Sequence, residues 1–338
     1  MSTYSKPTLI HSHSSPIDRL LALAAEDMKH VDAIIVERMQ SPVGMIPDLA
    51  THLVGAGGKR LRPLLTIASA HLCDYQGESH HKLAAAVEFI HSATLLHDDV
   101  VDESALRRGR KTANRVWGNS ATILVGDFLF ARAFNLMVET QSLEALGILS
   151  NASSVIAEGE VQQLASLRNI EMTESVYMDV IGAKTAALFS AAAEVSPVIA
   201  NCPLAYRQAL RRYGQELGLA FQLVDDALDY GGMESALGKS VGDDFREGKL
   251  TLPVIRAYAC GSEDDRAFWR RVMADHDQTD VDLETAVSLL RTTGTLKSTL
   301  DEARRRVENA KKSLAIFPDN EWKTALKDIA GFVVARVS

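Results

Sequence analysis

Two stretches of this chain combine residue types that could do chemistry together. Residues 88–102 read EFIHSATLLHDDVVD, and residues 221–230 read FQLVDDALDY. Each is an apolar run ending in three aspartates: Asp98, Asp99 and Asp102, then Asp225, Asp226 and Asp229. An α-helix turns 100° per residue, so the first and last aspartate of each cluster share one face. Carboxylates on an otherwise buried helix are costly unless a cation offsets them. An all-oxygen donor set suits a hard ion, Mg²⁺ before Zn²⁺. Mg²⁺ normally divides its shell between carboxylates and substrate phosphates, so two facing clusters could hold several ions around one diphosphate. One DDxxD pattern arises by chance on the order of 0.1 times in such a chain, and two on the order of 0.005 times. We therefore read the pair as functional rather than as two solvated helix ends.

Basic and small residues accompany both clusters. His91 lies two helical turns before Asp98, on nearly the same line. The GGKRLRP loop at 57–63 runs into a helix N-terminus, which favours an anion, and brings Lys59 and Arg62. Arg107 and Arg108 follow the first cluster, and arginine suits bidentate phosphate contacts. Lys184 and Thr185 sit in an Ala-rich helix, and Lys239 and Lys249 in a Gly-rich loop after the second cluster. Gln222 lies one turn before Asp225, and Gly214 and Gly218 continue that face, leaving room for a ligand or a close neighbour.

Helices must position these groups. Almost every segment has helical period: 19–39, 63–72, 83–103, 120–138, 142–167, 175–195, 204–230 and 296–315. A basic connector spans 104–118, and a loop rich in Gly and Asp spans 231–251. No strand alternation is visible. The expectation is an all-α single domain, a large helical bundle around a central cavity, over residues 17–338. Residues 1–16 are polar and Ser-rich, and read as a disordered tail without the apolar core of a signal peptide. The most apolar run, 185–200, is interrupted by Glu194 and Pro197 and is short for a membrane span. With 46% hydrophobic and 24% charged residues the chain has an ordinary globular composition. A net charge of −8 argues against nucleic-acid partners. Three scattered cysteines suggest a reducing, cytoplasmic setting.

In combination, GGKRLRP, LRRGR after the first cluster, AKTAALF, FQLVDDALDY and GKSVGDDFREGKLTLP resemble the trans-polyprenyl diphosphate synthases. The likeness runs from about residue 20 to near the C-terminus. EFIHSATLLHDDVVDES and VWGNSATILVGDF are closest to the long-chain members that make octaprenyl to decaprenyl diphosphate for quinone side chains. The resemblance implies an all-α, Mg²⁺-dependent homodimer with three ions per active site. Asp98, Asp102, Asp225 and Asp229 would hold Mg²⁺. Lys59, Arg62, His91 and Arg108 would bind isopentenyl diphosphate. Arg107, Lys184, Thr185, Gln222, Lys239 and Lys249 would hold an allylic diphosphate, farnesyl or similar. Asp98, Asp102, Lys184 and Asp225 would be the catalytic set.

Ala93 and Thr94, one turn before Asp98, are small where the family's short-chain members carry bulky aromatics, so the growing tail has a path. Phe134 and Met137 on the next helix are candidates for its floor. Membrane contact is expected to be peripheral at most, for product release. The competing readings are a short-chain farnesyl or geranylgeranyl synthase, a terpene cyclase and a noncatalytic partner subunit. Ala93, the GGKRLRP segment and the six intact aspartates argue against them in turn.

Overall fold

The computed structural model describes residues 15–55, 58–107, 109–231 and 242–336. Its helices are, in order, α1 (Pro16–Leu23), α2 (Ala25–Arg38), α3 (Met45–Gly55), α4 (Leu61–Leu72), α5 (Ser79–Val101), α6 (Ala113–Trp117), α7 (Asn119–Glu139), α8 (Leu143–Ala165), α9 (Glu174–Ile181), α10 (Ala187–Ile199) and α11 (Leu204–Gly231). They continue as α12 (Asp243–Arg246), α13 (Leu252–Cys260), α14 (Glu263–Trp269), α15 (Asp282–Thr292), α16 (Thr295–Ser313) and α17 (Glu321–Ala335). Between α5 and α6 lies a hairpin of two-residue strands, β1 (Leu106–Arg107) antiparallel to β2 (Arg110–Lys111). Two residues are too few to show a period, so the connector reads as loop in the sequence. The all-α expectation holds.

α5 is the centre because it is apolar almost all round: Leu83, Ala84, Val87, Phe89, Ile90, Ala93 and Leu96 are all buried. A helix with so little polar face belongs inside a bundle. It packs against α7, α4, α2 and α10, while α11 packs between α10 and α16. α16 shows the opposite pattern. It buries Thr295, Thr299, Ala303, Val307 and Ala310 at steps of three and four, and its outer face pairs Arg304 with Asp301 and Arg305 with Glu302. Glu194, the charge inside the most apolar run, is buried and held by Arg207 Nε at 2.8 Å, which removes the cost of an unpaired carboxylate.

Several boundaries differ from the sequence expectation, including α5, which starts at Ser79 rather than residue 83. The first helix starts earlier, because Ser15 and Asp18 form a reciprocal capping box around Pro16, so residues 15 and 16 belong to the folded body. Residues 1–14, where the disordered tail is expected, lie outside the described residues. The span 19–39 is two helices that part at Ala24, whose φ of −91° and ψ of 11° leave the helical range. The span 175–195 is interrupted by a five-residue π turn, Gly182–Ala186, and runs on to Ile199. With that extension, Glu174–Ile199 joins Asn119–Glu139 as a helix long and apolar enough to cross a bilayer. Most of the apolar window of Glu174–Ile199 is nevertheless buried inside the bundle.

Candidate active site

α4, α5, α8, the π turn, α11 and the end of α17 enclose a cavity of about 650 Å³. Asp98, Asp102, Asp225, Asp226 and Asp229 all line it, so the two sequence clusters face one space. Asp98 is on the last turn of α5, and Asp102 caps that helix. The middle aspartate, Asp99, is 1% exposed and accepts bonds from Arg107 Nε at 2.9 Å and Nη2 at 2.7 Å. Arg107 therefore lines the cavity from a position fixed by Asp99.

The opposite wall is the π turn. Lys184 Nζ bonds to Glu160 Oε2 of α8 at 2.8 Å and lies 3.9 Å from Asp98 Oδ2. A π turn inserts a residue and re-aims the side chains beyond it. It fits here because glycines flank it. A Cβ on Gly159 would lie 2.6 Å from Ala183 Cβ and 3.0 Å from Lys184 N. One on Gly218 would lie 2.6 Å from Ala186 Cα, and one on Gly214 would lie 2.3 Å from Phe189 O. The α11 glycines thus admit a close neighbour, the backbone that carries Lys184 and Thr185.

From Thr185 a chain of bonds runs into the second cluster. Thr185 Oγ1 donates to Gln222 Oε1 at 2.8 Å, and Gln222 Nε2 donates to Asp226 Oδ1 at 2.7 Å. Tyr177 Oη, on α9, donates to Asp226 Oδ2. Asp225 Oδ1 accepts from Arg336 Nη1 at 3.3 Å, and the guanidinium of Arg336 lies over the Phe221 ring. Asp229 accepts the backbone N–H groups of Asp243 at 3.2 Å and Asp244 at 3.0 Å, so it caps α12. Asp244 Oδ1 in turn accepts from Lys249 Nζ at 3.0 Å.

The basic wall comes from the segment before α4. Arg60, at φ 44°, caps that helix and pairs with Asp32. Arg62 stacks its guanidinium 4.4 Å from the Phe189 ring centroid, and its Nη1 lies 3.1 Å from His91 Nε2. Lys59 Nζ sits 5.0 Å from the Phe332 ring centroid, and burial together with the charge of Arg336 lowers its pKa. Arg108 and Lys239, both expected here, lie outside the described residues.

Crowded carboxylates make the cavity electrostatically unfavourable when nothing cationic joins them. Burial pushes the Asp98 carboxyl up to about 7; Lys184 pulls it down, while Glu160 and Asp102 add to the rise. Burial and Asp244 raise Asp229 to about 7 and Asp226 to about 6. Burial opposes the charge on Lys249, but Asp244 and Asp226 outweigh it and hold the ammonium well above its ordinary value. A divalent cation would relieve the carboxyls and let them ionise. The donor set, all oxygen, fits a hard ion.

Of the residues expected to shape product length, Thr94 lines the cavity. Ala93 and Met137 are fully buried in the core, and Phe134 is partly buried against Phe130; none of the three is among its lining residues. Glu160, Tyr177, Phe189, Asp244 and Arg336 take part in the site without having been singled out in the sequence. Asp244 stood inside a quoted motif, GKSVGDDFREGKLTLP. Glu160 and Arg336 carry no local signal, since only folding brings them to Lys184 and Asp225.

Comparison with known proteins agrees with this architecture. The polyprenyl synthetase family profile matches residues 44–290. The chain is 42% identical to octaprenyl diphosphate synthase of Escherichia coli, over 95% of this chain and 99% of that protein. A decaprenyl diphosphate synthase from Rhodobacter capsulatus superposes with a TM-score of 0.93 at 54% identity, covering 96% of this chain and all of that one. A polyprenyl synthase from Caulobacter crescentus, solved with calcium and isoprenyl diphosphate, superposes with a TM-score of 0.92 at 53% identity, over 95% and 98% of the two chains. The chain belongs to the polyprenyl synthetase family.

Proposed function

We propose that the cavity adds isopentenyl diphosphate, head to tail, to an allylic diphosphate such as farnesyl diphosphate. The product is a long all-trans polyprenyl diphosphate, octaprenyl to decaprenyl, of the kind used for quinone side chains. The observation that carries this reading is the meeting of Asp98 and Asp102 with Asp225 and Asp229 across one cavity, with Lys184 3.9 Å from Asp98. In this reading those four aspartates hold Mg²⁺, three ions per site, which supply positive charge to the departing diphosphate.

The remaining roles are those the family resemblance implies, and the position of the described residues around the cavity supports them. Lys184, Thr185, Arg107, Gln222 and Lys249, with Lys239, receive the allylic diphosphate. Cationic groups aimed at its oxygens favour cleavage of the allylic C–O bond. Lys59, Arg62 and His91, with Arg108, hold isopentenyl diphosphate so that its double bond faces the allylic cation. A C–C bond forms there, and the proton then lost passes to the released diphosphate. Phe189, Phe221, Leu95 and Leu228 line the same cavity and keep water from the cation.

Small side chains at Ala93 and Thr94 support passage of a long tail along α5, and Phe134 and Met137 remain the candidate floor. A homodimer is supported by the apolar side chains that α7 and α8 leave exposed, among them Leu124 at 66% and Leu143 at 83%. Residues 15–338 act as one catalytic domain in the cytoplasm, touching membrane only to release product. The test is incubation with Mg²⁺, farnesyl diphosphate and labelled isopentenyl diphosphate, followed by sizing of the dephosphorylated products. Octaprenyl to decaprenyl alcohols support the reading. Geranylgeranyl alone would point to a short-chain synthase, and no elongation would overturn prenyl transfer.

A further inference from the structure

Asp27 of α2 sits among histidines, none of which lines the cavity. His71, in the last turn of α4, places Nε2 2.9 Å from Asp27 Oδ2. His80 and His81, in the first turn of α5, place theirs 3.0 and 2.9 Å from Oδ1. His30, one turn after Asp27, stacks on His81 with ring centroids 4.8 Å apart. Trp322 of α17 lies flat on His71, centroids 4.3 Å apart and planes 2° from parallel, which fixes that ring's orientation. The side chains of His80, His81 and Asp27 are 6%, 12% and 17% exposed, whereas His71 is 34% exposed. The cluster is therefore enclosed except at His71, which leaves an entry path.

Three imidazoles converging on one carboxylate are more donors than a single aspartate needs. A neutral ring that donates from Nε2 leaves its Nδ1 as an acceptor. His80 Nδ1 is buried and has no partner. The same atoms make a good metal set. The ligand atoms of Asp27, His71 and His80 all lie within 4.8 Å of one another. Zn–N and Zn–O bonds of about 2.0–2.2 Å in a tetrahedron put neighbouring ligand atoms roughly 3.3 Å apart. The N···O distances of 2.9 to 3.0 Å are close to that edge, and the ligand atoms, all within 4.8 Å, need to draw together as the Nε2 protons leave.

We propose that Asp27, His71 and His80 bind one divalent transition-metal ion of the zinc class, with His81 beside them on the same carboxylate. Imidazole favours such ions over Mg²⁺, whereas the cavity's all-oxygen donors suit abundant Mg²⁺. The three ligands come from three different helices, so the role is structural: the ion ties α2 to the end of α4 and the start of α5.

The test uses full-length, tag-free protein in excess Mg²⁺, which occupies the carboxylate clusters. It is titrated with Co²⁺ while visible d–d absorption is recorded, and with Zn²⁺ followed by dialysis and metal analysis. One equivalent of Zn²⁺ retained per chain is expected, with intense tetrahedral Co²⁺ bands and a higher melting temperature. H71Q and H80Q should each weaken binding by about 10-fold or more, with prenyl transfer in Mg²⁺ unchanged as the sign of an intact fold. Failure of wild-type protein to retain zinc overturns the proposal, as does retention by both variants at the wild-type level.

Discussion

Replacing Gly218 by alanine separates local helix preference from close packing. Within α11 alanine is favoured over glycine by about 1 kcal/mol. The new methyl would stand 2.6 Å from Ala186 Cα and 3.0 Å from Ala186 Cβ, against ordinary contacts of 3.4–4 Å. Because the nearest atom is backbone, relief requires the π turn to move away by roughly 1 Å, and overpacking of this kind costs about 1–3 kcal/mol. The packing cost exceeds the helix preference, so Gly218→Ala is expected to lower stability by up to about 2 kcal/mol. At roughly 1.4 °C per kcal/mol for a chain of 338 residues, the melting temperature falls by up to about 3 °C. The displaced turn carries Lys184 and Thr185, and a shift of that size costs about 10²-fold in turnover. Gly147→Ala is the control. It is also helical, but a Cβ there meets nothing within 4 Å, so it should stabilise by up to about 1 kcal/mol. Calorimetry and steady-state prenyl transfer on the two variants decide the matter. If Gly218→Ala melts higher, as Gly147→Ala should, and turns over at the wild-type rate, close packing does not govern this position.

The raised carboxyls make a pH prediction. Below the ordinary aspartate value of 3.8 both folded and unfolded chains are protonated at Asp98 and Asp229, and these groups contribute nothing. From there up to about 7 the unfolded chain ionises while the folded one holds its protons, so metal-free stability declines across that window and then levels off. Mg²⁺ should restore it, with apparent affinity rising toward pH 7; a metal-free melting temperature that climbs from pH 4.5 to 7 would contradict this. Asp99→Asn removes the charge that fixes Arg107, and is expected to raise KM for the allylic diphosphate about 10–100-fold, with little change for isopentenyl diphosphate. Equal changes in both constants would remove Asp99 as the positioner of Arg107. Ala93→Tyr should shorten products and Met137→Ala should lengthen them; product sizing that shows no change in either moves the tail path off α5.

Much of the site was legible because helical period is a strong signal. The spacing of Asp98 and Asp102, and of Asp225 and Asp229, placed each pair on one face, and all four line the cavity. The same period turned Asp99 away from the cavity, where it is buried and bonded to Arg107, while Asp226 stays at the cavity wall, buried and bonded to Tyr177 and Gln222. The π turn was not legible, since one extra residue leaves the composition of GAKTA looking like any helix. The role of the α11 glycines stayed open for a related reason. Glycine on a helix face permits a ligand or a backbone equally, and only the approach of Ala186 and Phe189 decides. Arg336 reaches Asp225 from the far end of the chain, a contact set by the docking of α17 rather than by any local pattern.

In the proposed mechanism, facing carboxylates hold the Mg²⁺ that would favour diphosphate departure. Single-turnover release of diphosphate from farnesyl and isopentenyl diphosphates, at saturating Mg²⁺, tests this with wild-type protein beside Asp98→Asn and Asp225→Asn. The expected rates are at least about 10²–10³-fold lower in both variants, with unchanged circular dichroism. Wild-type rates in either variant would contradict the mechanism.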